Sequence, residues 1–209
     1  MIALLLILVP LIGGLVTFFL KQEKQAKTWS FLVSLISLAA ITYSLITNNE
    51  EARSFTAAWL PQLGASFALK MDGASTLLCL LGALSYPIIF ASTWKSSYPS
   101  PNSFYGLMLL AQAGILGVFL AADGLLFYFF WELALIPVYF LCSKWGGEKR
   151  IAVTFKFFIY TFIGSLLMLV GLLYMYYQTA DASFAMESLY AVKLSGDQQT
   201  WLFWLFFIA

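Results

Sequence analysis

Seven apolar runs separated by short polar segments fill this 209-residue chain. Six of them, residues 2–20, 28–47, 73–94, 104–122, 124–142 and 151–177, are long enough to cross a bilayer as helices. At about 1.5 Å per residue, roughly twenty apolar residues match a hydrocarbon core of about 30 Å. The seventh run, residues 201–209, is far short of that length. A helix that stops in mid-membrane leaves its last carbonyls unsatisfied in hydrocarbon, so the chain is expected to be part of a longer protein. Apolar residues make up 62% of the chain and charged ones 10%, which excludes a soluble globular core. The expected fold is all-α: a polytopic transmembrane helix bundle with six complete spans and the start of a seventh.

Composition also narrows the chemistry. The net charge is +1 and there is no histidine. No nucleic-acid footprint exists, and the usual haem and zinc ligand is missing. Cys79 and Cys142 stand far apart in apolar runs and are expected to be buried small hydrophobes, unable to hold an iron–sulfur cluster. No cofactor and no metal are expected in this chain, so any redox machine it serves keeps its redox centres elsewhere.

Lysine and arginine set the orientation. One group of loops carries Lys21, Lys24, Lys27, Lys95, Lys144, Lys149 and Arg150; the other carries Arg53, Lys70 and Lys193. That excess places the first group in the cytoplasm and the N-terminus outside. The opening MIALLLILVP has no basic n-region and reads as a span, not a cleaved signal. Both long connections, 48–72 and 178–200, then lie on the outer side. In the first, SFTAAWL and ASFALKM flank PQLG, which predicts a surface hairpin turning at Pro61 and Gly64. In the second, Met186, Leu189 and Tyr190 are expected to form the apolar face of a short interfacial helix. Asp72 and Asp123 each precede a glycine at the head of a span and read as helix caps.

One carboxylate lies deep in a span. Glu132 is the sole charge in GLLFYFFWELALIPVYFLC, residues 124–142, with eight residues before it and ten after. A charge at that depth costs roughly 2.5–3.5 kcal/mol on insertion scales and marks a proton or ion site by default. Tyr128, Glu132 and Tyr139 share a helix face that Ser143 continues. Pro137 removes a backbone N–H and frees the Leu133 carbonyl, which suits ordered water beside the acid. The alternative is a protonated Glu132 that only ties two helices together. Lys156, in IAVTFKFFIYTFIGS, is the second charge within a span, about 8 Å from its cytoplasmic start. It either snorkels to the interface or pairs with Glu132; a carboxylate that gains and loses an ammonium partner is a proton switch. Gly164 and Gly171, like Gly106, Gly114 and Gly117, read as close-packing positions.

Residues 123–177, with FFWELALIPVYFL followed by TFKFFIYT, resemble helices five and six of subunit M (chain 4) of the proton-pumping NADH:quinone oxidoreductases, respiratory complex I. FALKMDG at 67–73 fits the wider antiporter-like superfamily. The resemblance implies an antiporter-like subunit fold of about fourteen helices in two inverted halves, of which this is less than half. Residues 1–103 would then be an N-terminal three-helix segment with the outer hairpin, and 104–209 the start of the first antiporter-like repeat. It further implies that Glu132 and Lys156 serve proton translocation, with a family lysine of the seventh helix beyond Ala209. Partners would be the other membrane subunits of complex I, above all the adjacent antiporter-like ones, and the lipid bilayer of a bacterial plasma or inner mitochondrial membrane. The chain would act as a subunit of the enzyme, quinone being reduced elsewhere. Two other readings stand beside this one: a subunit of a multi-subunit sodium/proton antiporter or membrane-bound hydrogenase, and a non-transporting scaffold.

Overall fold

The computed structural model describes residues 1–47 and 50–209. Asn48 and Asn49, which open the first long connection, lie outside the described residues. The elements run α1 (Ile2–Thr17), α2 (Glu23–Thr47), α3 (Glu50–Arg53), β1 (Ser54–Leu60), β2 (Ala65–Lys70), α4 (Gly73–Ser92), α5 (Pro101–Leu120), α6 (Gly124–Trp145), α7 (Arg150–Gln178), α8 (Met186–Ala191) and α9 (Gly196–Ile208). The helices α2, α4, α5, α6 and α7 are long and apolar enough to cross a membrane; α1 is apolar but has 16 residues.

Local chemistry sets the boundaries. The predicted first span overran by three residues, because Phe19 and Leu20 donate to Val16 and Thr17 in tight turns that end α1. The predicted second span began five residues late. Its helix takes in the polar 23–27 segment, where Glu23 and Lys27 pair one turn apart at 2.7 Å. Asp72 caps α4 in a reciprocal box with Ser75, each accepting the other's backbone N–H at 2.7 Å. Ser195 and Gln198 box the start of α9, five residues ahead of the expected run.

The only sheet among the described residues is the antiparallel hairpin β1–β2, in register from Ser54↔Lys70 to Leu60↔Ala65 with a bulge between Ala58 and Leu60. Its turn is a single 3-10 turn, Pro61–Leu63, closed by Gly64 at φ 63°. Gly64 is required twice over: by that left-handed backbone, and because a Cβ there would overlap the Ala182 carbonyl. The short helix α8 buries Leu189 against the bundle, whereas Tyr190 points out, 81% exposed, so the expected three-residue apolar face is not formed.

Consecutive long helices run antiparallel, and the connections collect at two ends. At one end the N-terminal ammonium donates to the Ala52 and Ser54 carbonyls beside the hairpin. At the other, Lys27 Nζ donates to the Trp94 and Ser96 carbonyls, and Trp145 Nε1 to the Pro99 carbonyl. The helix α5 sits at the centre, packed along α1 and α6 and against α2 and α4. Glycines allow its close crossings: a Cβ on Gly114 would lie 2.7 Å from Ala134 Cα, and one on Gly106 would lie 3.1 Å from the Gly14 carbonyl. Outward faces carry Leu, Ile, Phe and Trp over their whole length, as a helix bundle in lipid requires.

Candidate functional site

Asp123 fixes the helix that carries the acid. It is fully buried, and its Oδ1 accepts the Leu125 and Leu126 N–H groups at 3.0 and 3.1 Å. Its Oδ2 accepts the Ser66 N–H at 2.9 Å, which joins the head of α6 to β2. The backbone continues that joint: Ala122 N–H donates to Ala68, Gly124 N–H to Phe184, and Phe184 N–H to Gly64. The capping role read from the sequence is correct, and the carboxylate also holds hairpin, loop and helix together.

Nine residues on from Asp123, about 13 Å along α6, stands Glu132. Its side chain lies partly buried, and its Oε1 is sealed from solvent with no hydrogen-bond partner among the described residues. The Tyr128 hydroxyl lies beside both the Glu132 carboxyl and the Ser165 hydroxyl of α7. Ser165, 2% exposed, donates to the Phe162 carbonyl at 2.8 Å and keeps its lone pairs as acceptors. Acid, phenol and hydroxyl thus gather where α6 packs on α7, and each can both give and take a proton or hydrogen bond. Buried Pro137, inside the same helix, leaves the carbonyl of Leu133, the residue next to the acid, without its helical donor.

The expected stripe is met in part. The Tyr139 ring packs edge-on against Phe158 of α7 at 5.2 Å. The Ser143 hydroxyl is satisfied within its own helix by the Phe140 carbonyl at 3.2 Å. Lys156 does not join the site. It is exposed, and the ion pairs among the described residues are Glu23–Lys27 and Lys70–Glu187. Helix geometry gives the reason. Thr154 and Ser165, both buried, lie within roughly 20° of one line along α7, while Lys156 is turned roughly 200° from Thr154. Cys79 is buried as expected, but Cys142 is exposed on α6.

Sequence reasoning missed two residues. Ser165 had a signal: it lies on the α7 line through Thr154, but a small hydroxyl in an apolar helix reads first as packing. Gln112, in the middle of α5, is fully buried, and neither amide atom has a hydrogen-bond partner among the described residues. Its isolation in an apolar run was the available sign.

This arrangement defines a class: a membrane helix bundle with a mid-span acid, capped and oriented by a surface hairpin. Residues 121–209 match the family described as NADH:quinone oxidoreductase/Mrp antiporter, TM. It is 42% identical over 198 residues to the F(420)H(2) dehydrogenase subunit M of Methanosarcina mazei, covering 91% of this chain and 40% of that one. It is 34% identical over 192 residues to the NAD(P)H-quinone oxidoreductase chain 4 1 of a Synechococcus species, covering 89% of this chain and 36% of that one. A chain of respiratory complex I from Thermus thermophilus, solved with bound NADH, matches the structure with TM-score 0.88 at 30% identity, covering 100% of this chain and 43% of that one. The chain therefore spans about 40% of the length of the curated relatives it matches.

Proposed function

We propose that this chain is a proton-translocating membrane subunit of a respiratory dehydrogenase of the NADH:quinone oxidoreductase type, with Glu132 as the titrating group. The observation that carries the reading is a mid-span carboxyl with one sealed, unpartnered oxygen beside the Tyr128 and Ser165 hydroxyls. A carboxylate there holds a proton when neutral and attracts one when charged, and the two hydroxyls can pass it along the α6–α7 seam. Lys156 acts from the opposite face of α7, modulating the site from a neighbouring element and not as the direct partner of Glu132 in this chain. The excess of Lys and Arg at the end opposite the hairpin supports a cytoplasmic placement for that end and an outer N-terminus. With α1 tilted less or locally thinning the bilayer, the chain supplies six spans and, in α9, the start of a seventh. Its partners are the other membrane subunits of such a complex. The electron donor is oxidised and quinone reduced on those subunits. The likeness to subunit M and chain 4 proteins favours this reading over a free sodium/proton antiporter.

The test uses the whole complex in sealed vesicles, driven by NADH, or by reduced F420 if NADH is not oxidised. Glu132→Gln keeps shape and much hydrogen bonding but cannot titrate. Proton movement per assembled complex should fall sharply in Glu132→Gln and less in Glu132→Asp. Wild-type pumping in the Gln variant would leave Glu132 as a residue that ties helices together.

A further inference from the structure

A second polar site lies on the other side of α5. Gln112 is 0% exposed, and neither its amide nitrogen nor its amide oxygen has a hydrogen-bond partner among the described residues. Ser30 of α2 is 0% exposed as well, and its Oγ is likewise unpartnered. These two side chains belong to facing rows. Gln112 extends the row Tyr105–Leu109 at spacings of four and three residues, and Ser30 stands between Ala26 and Val33 at the same spacings. Ala26, Val33, Tyr105 and Leu109 pack with Tyr86 and Phe90 of α4 in one buried cluster. The rows run parallel, since Lys27 and Tyr105 face each other at one end, where the Tyr105 hydroxyl donates to Thr93. Counting from that level, Gln112 is about 10 Å deep and Ser30 about 5 Å, a gap on the order of a single small molecule. Ser34 is about level with Gln112, fully buried; its Oγ donates to the Phe31 carbonyl at 2.7 Å and keeps its lone pairs as acceptors.

The amide offers two N–H donors and one acceptor, and Ser30 offers a donor and an acceptor. A dry apolar cluster would leave all of these unmet, which folded proteins avoid. Apart from the Tyr105 phenol, whose hydroxyl donates to Thr93, the rows contain no ionisable acid or base, and the nearest charges, Glu23 and Lys27, are paired with each other at the helix end. The occupant must therefore be neutral, small, and able both to donate and to accept. We infer that α2, α4 and α5 enclose an internal water-binding site held by Gln112, Ser30 and the oxygen of Ser34. It is separate from the Glu132 site. The α5 face that meets α6 is the Gly114–Gly117 face, packed on Ala134 and Phe130, and Gln112 is turned roughly 200° from Gly114.

Radiolytic hydroxyl labelling of the intact complex in ¹⁸O-water tests this, because bound water oxidises the side chains around it even where bulk solvent cannot reach. In the wild type, Tyr86 and Leu109 should take up ¹⁸O, whereas Leu120, as fully buried as Leu109 but in the other cluster, should not. Gln112→Leu, which keeps bulk but removes the amide, should abolish labelling of Tyr86 and Leu109 without altering that of exposed residues. If Gln112→Leu does not assemble, Ser30→Ala provides the same reading with a smaller change and should lower the labelling. Unlabelled Tyr86 and Leu109 in the wild type, an arm that needs no variant, would overturn the proposal. Labelling that persists unchanged in the variants would do so too.

Discussion

At the scale of single residues, position on the helix decides which charge does what. Glu132 and Lys156 were equally visible as charges within apolar runs, and the sequence left their pairing open. Only the rotation of α7 decides it, and that rotation is set by Thr154, Ser165, Gly164 and Gly171 seeking their neighbours. With Lys156 on the opposite face, its removal should act independently of Glu132. Lys156→Ala should therefore reduce donor-driven proton movement less than Glu132→Gln does, and the double variant should show the product of the two effects. A double-mutant cycle on pumping rates checks this; strong non-additivity would restore a direct pair. Tyr128→Phe removes one hydroxyl beside the acid while keeping the ring. It should slow pumping at unchanged assembly, with an effect smaller than that of Glu132→Gln. Gln112 marks the limit of reading by residue, because its burial comes from the packing of α5 among other helices, which spacing along α5 does not show.

At the scale of elements, caps and turns were legible and lengths were not. An aspartate before a glycine at the head of an apolar run has few roles other than a cap, and both Asp72 and Asp123 fill that role. The PQLG turn between SFTAAWL and ASFALKM marked the hairpin. The overrun of α1 and the early start of α2 came from turns and ion pairs that hydropathy does not weigh. Asp123→Ala should remove four hydrogen bonds at the joint of hairpin and helix, counting that from the Ser66 hydroxyl at 3.4 Å. The expected cost is about 1–3 kcal/mol, read as a lower unfolding midpoint in detergent. Gly114→Val should cost a similar ~1–3 kcal/mol by driving α5 from α6, with pumping lost as Glu132 shifts. Asp72 adds a pH signature. The Ser75 N–H, then the Ser75 side chain, hold its carboxyl below the usual carboxylate range. A lowered folded-state value gives stability that is present above the unfolded value of about 3.9 and lost as the pH falls through the folded one. The stability gap between the wild type and Asp72→Asn should thus be steady near neutrality and close below about pH 4.

At the scale of the whole molecule, the bundle is polarised by its connections. The hairpin, the N-terminal ammonium, the head of α6 and α8 are tied together at one end by backbone bonds and the exposed Lys70–Glu187 pair, 3.0 Å apart. The other end carries short loops and most of the basic residues. Such an arrangement follows from antiparallel helices with alternate connections long and short, and the count of Lys and Arg then selects the side. The long connections can fold only in water or at the interface, since unpaired strand edges are not tolerated in hydrocarbon. The prediction is that the hairpin end faces outward and the basic end faces the cytoplasm. Single cysteines at Gln62, exposed in the hairpin turn, and at Gly147, exposed between α6 and α7, report it directly. In a background with Cys142 replaced by serine, a membrane-impermeant maleimide added to intact cells should label the Gln62 position and not the Gly147 position. Inverted vesicles should show the reverse. Labelling of both from one face would contradict alternating spans, and the reversed pattern would turn the whole bundle over, placing the Glu132 carboxyl closer to the cytoplasmic surface than to the outer one.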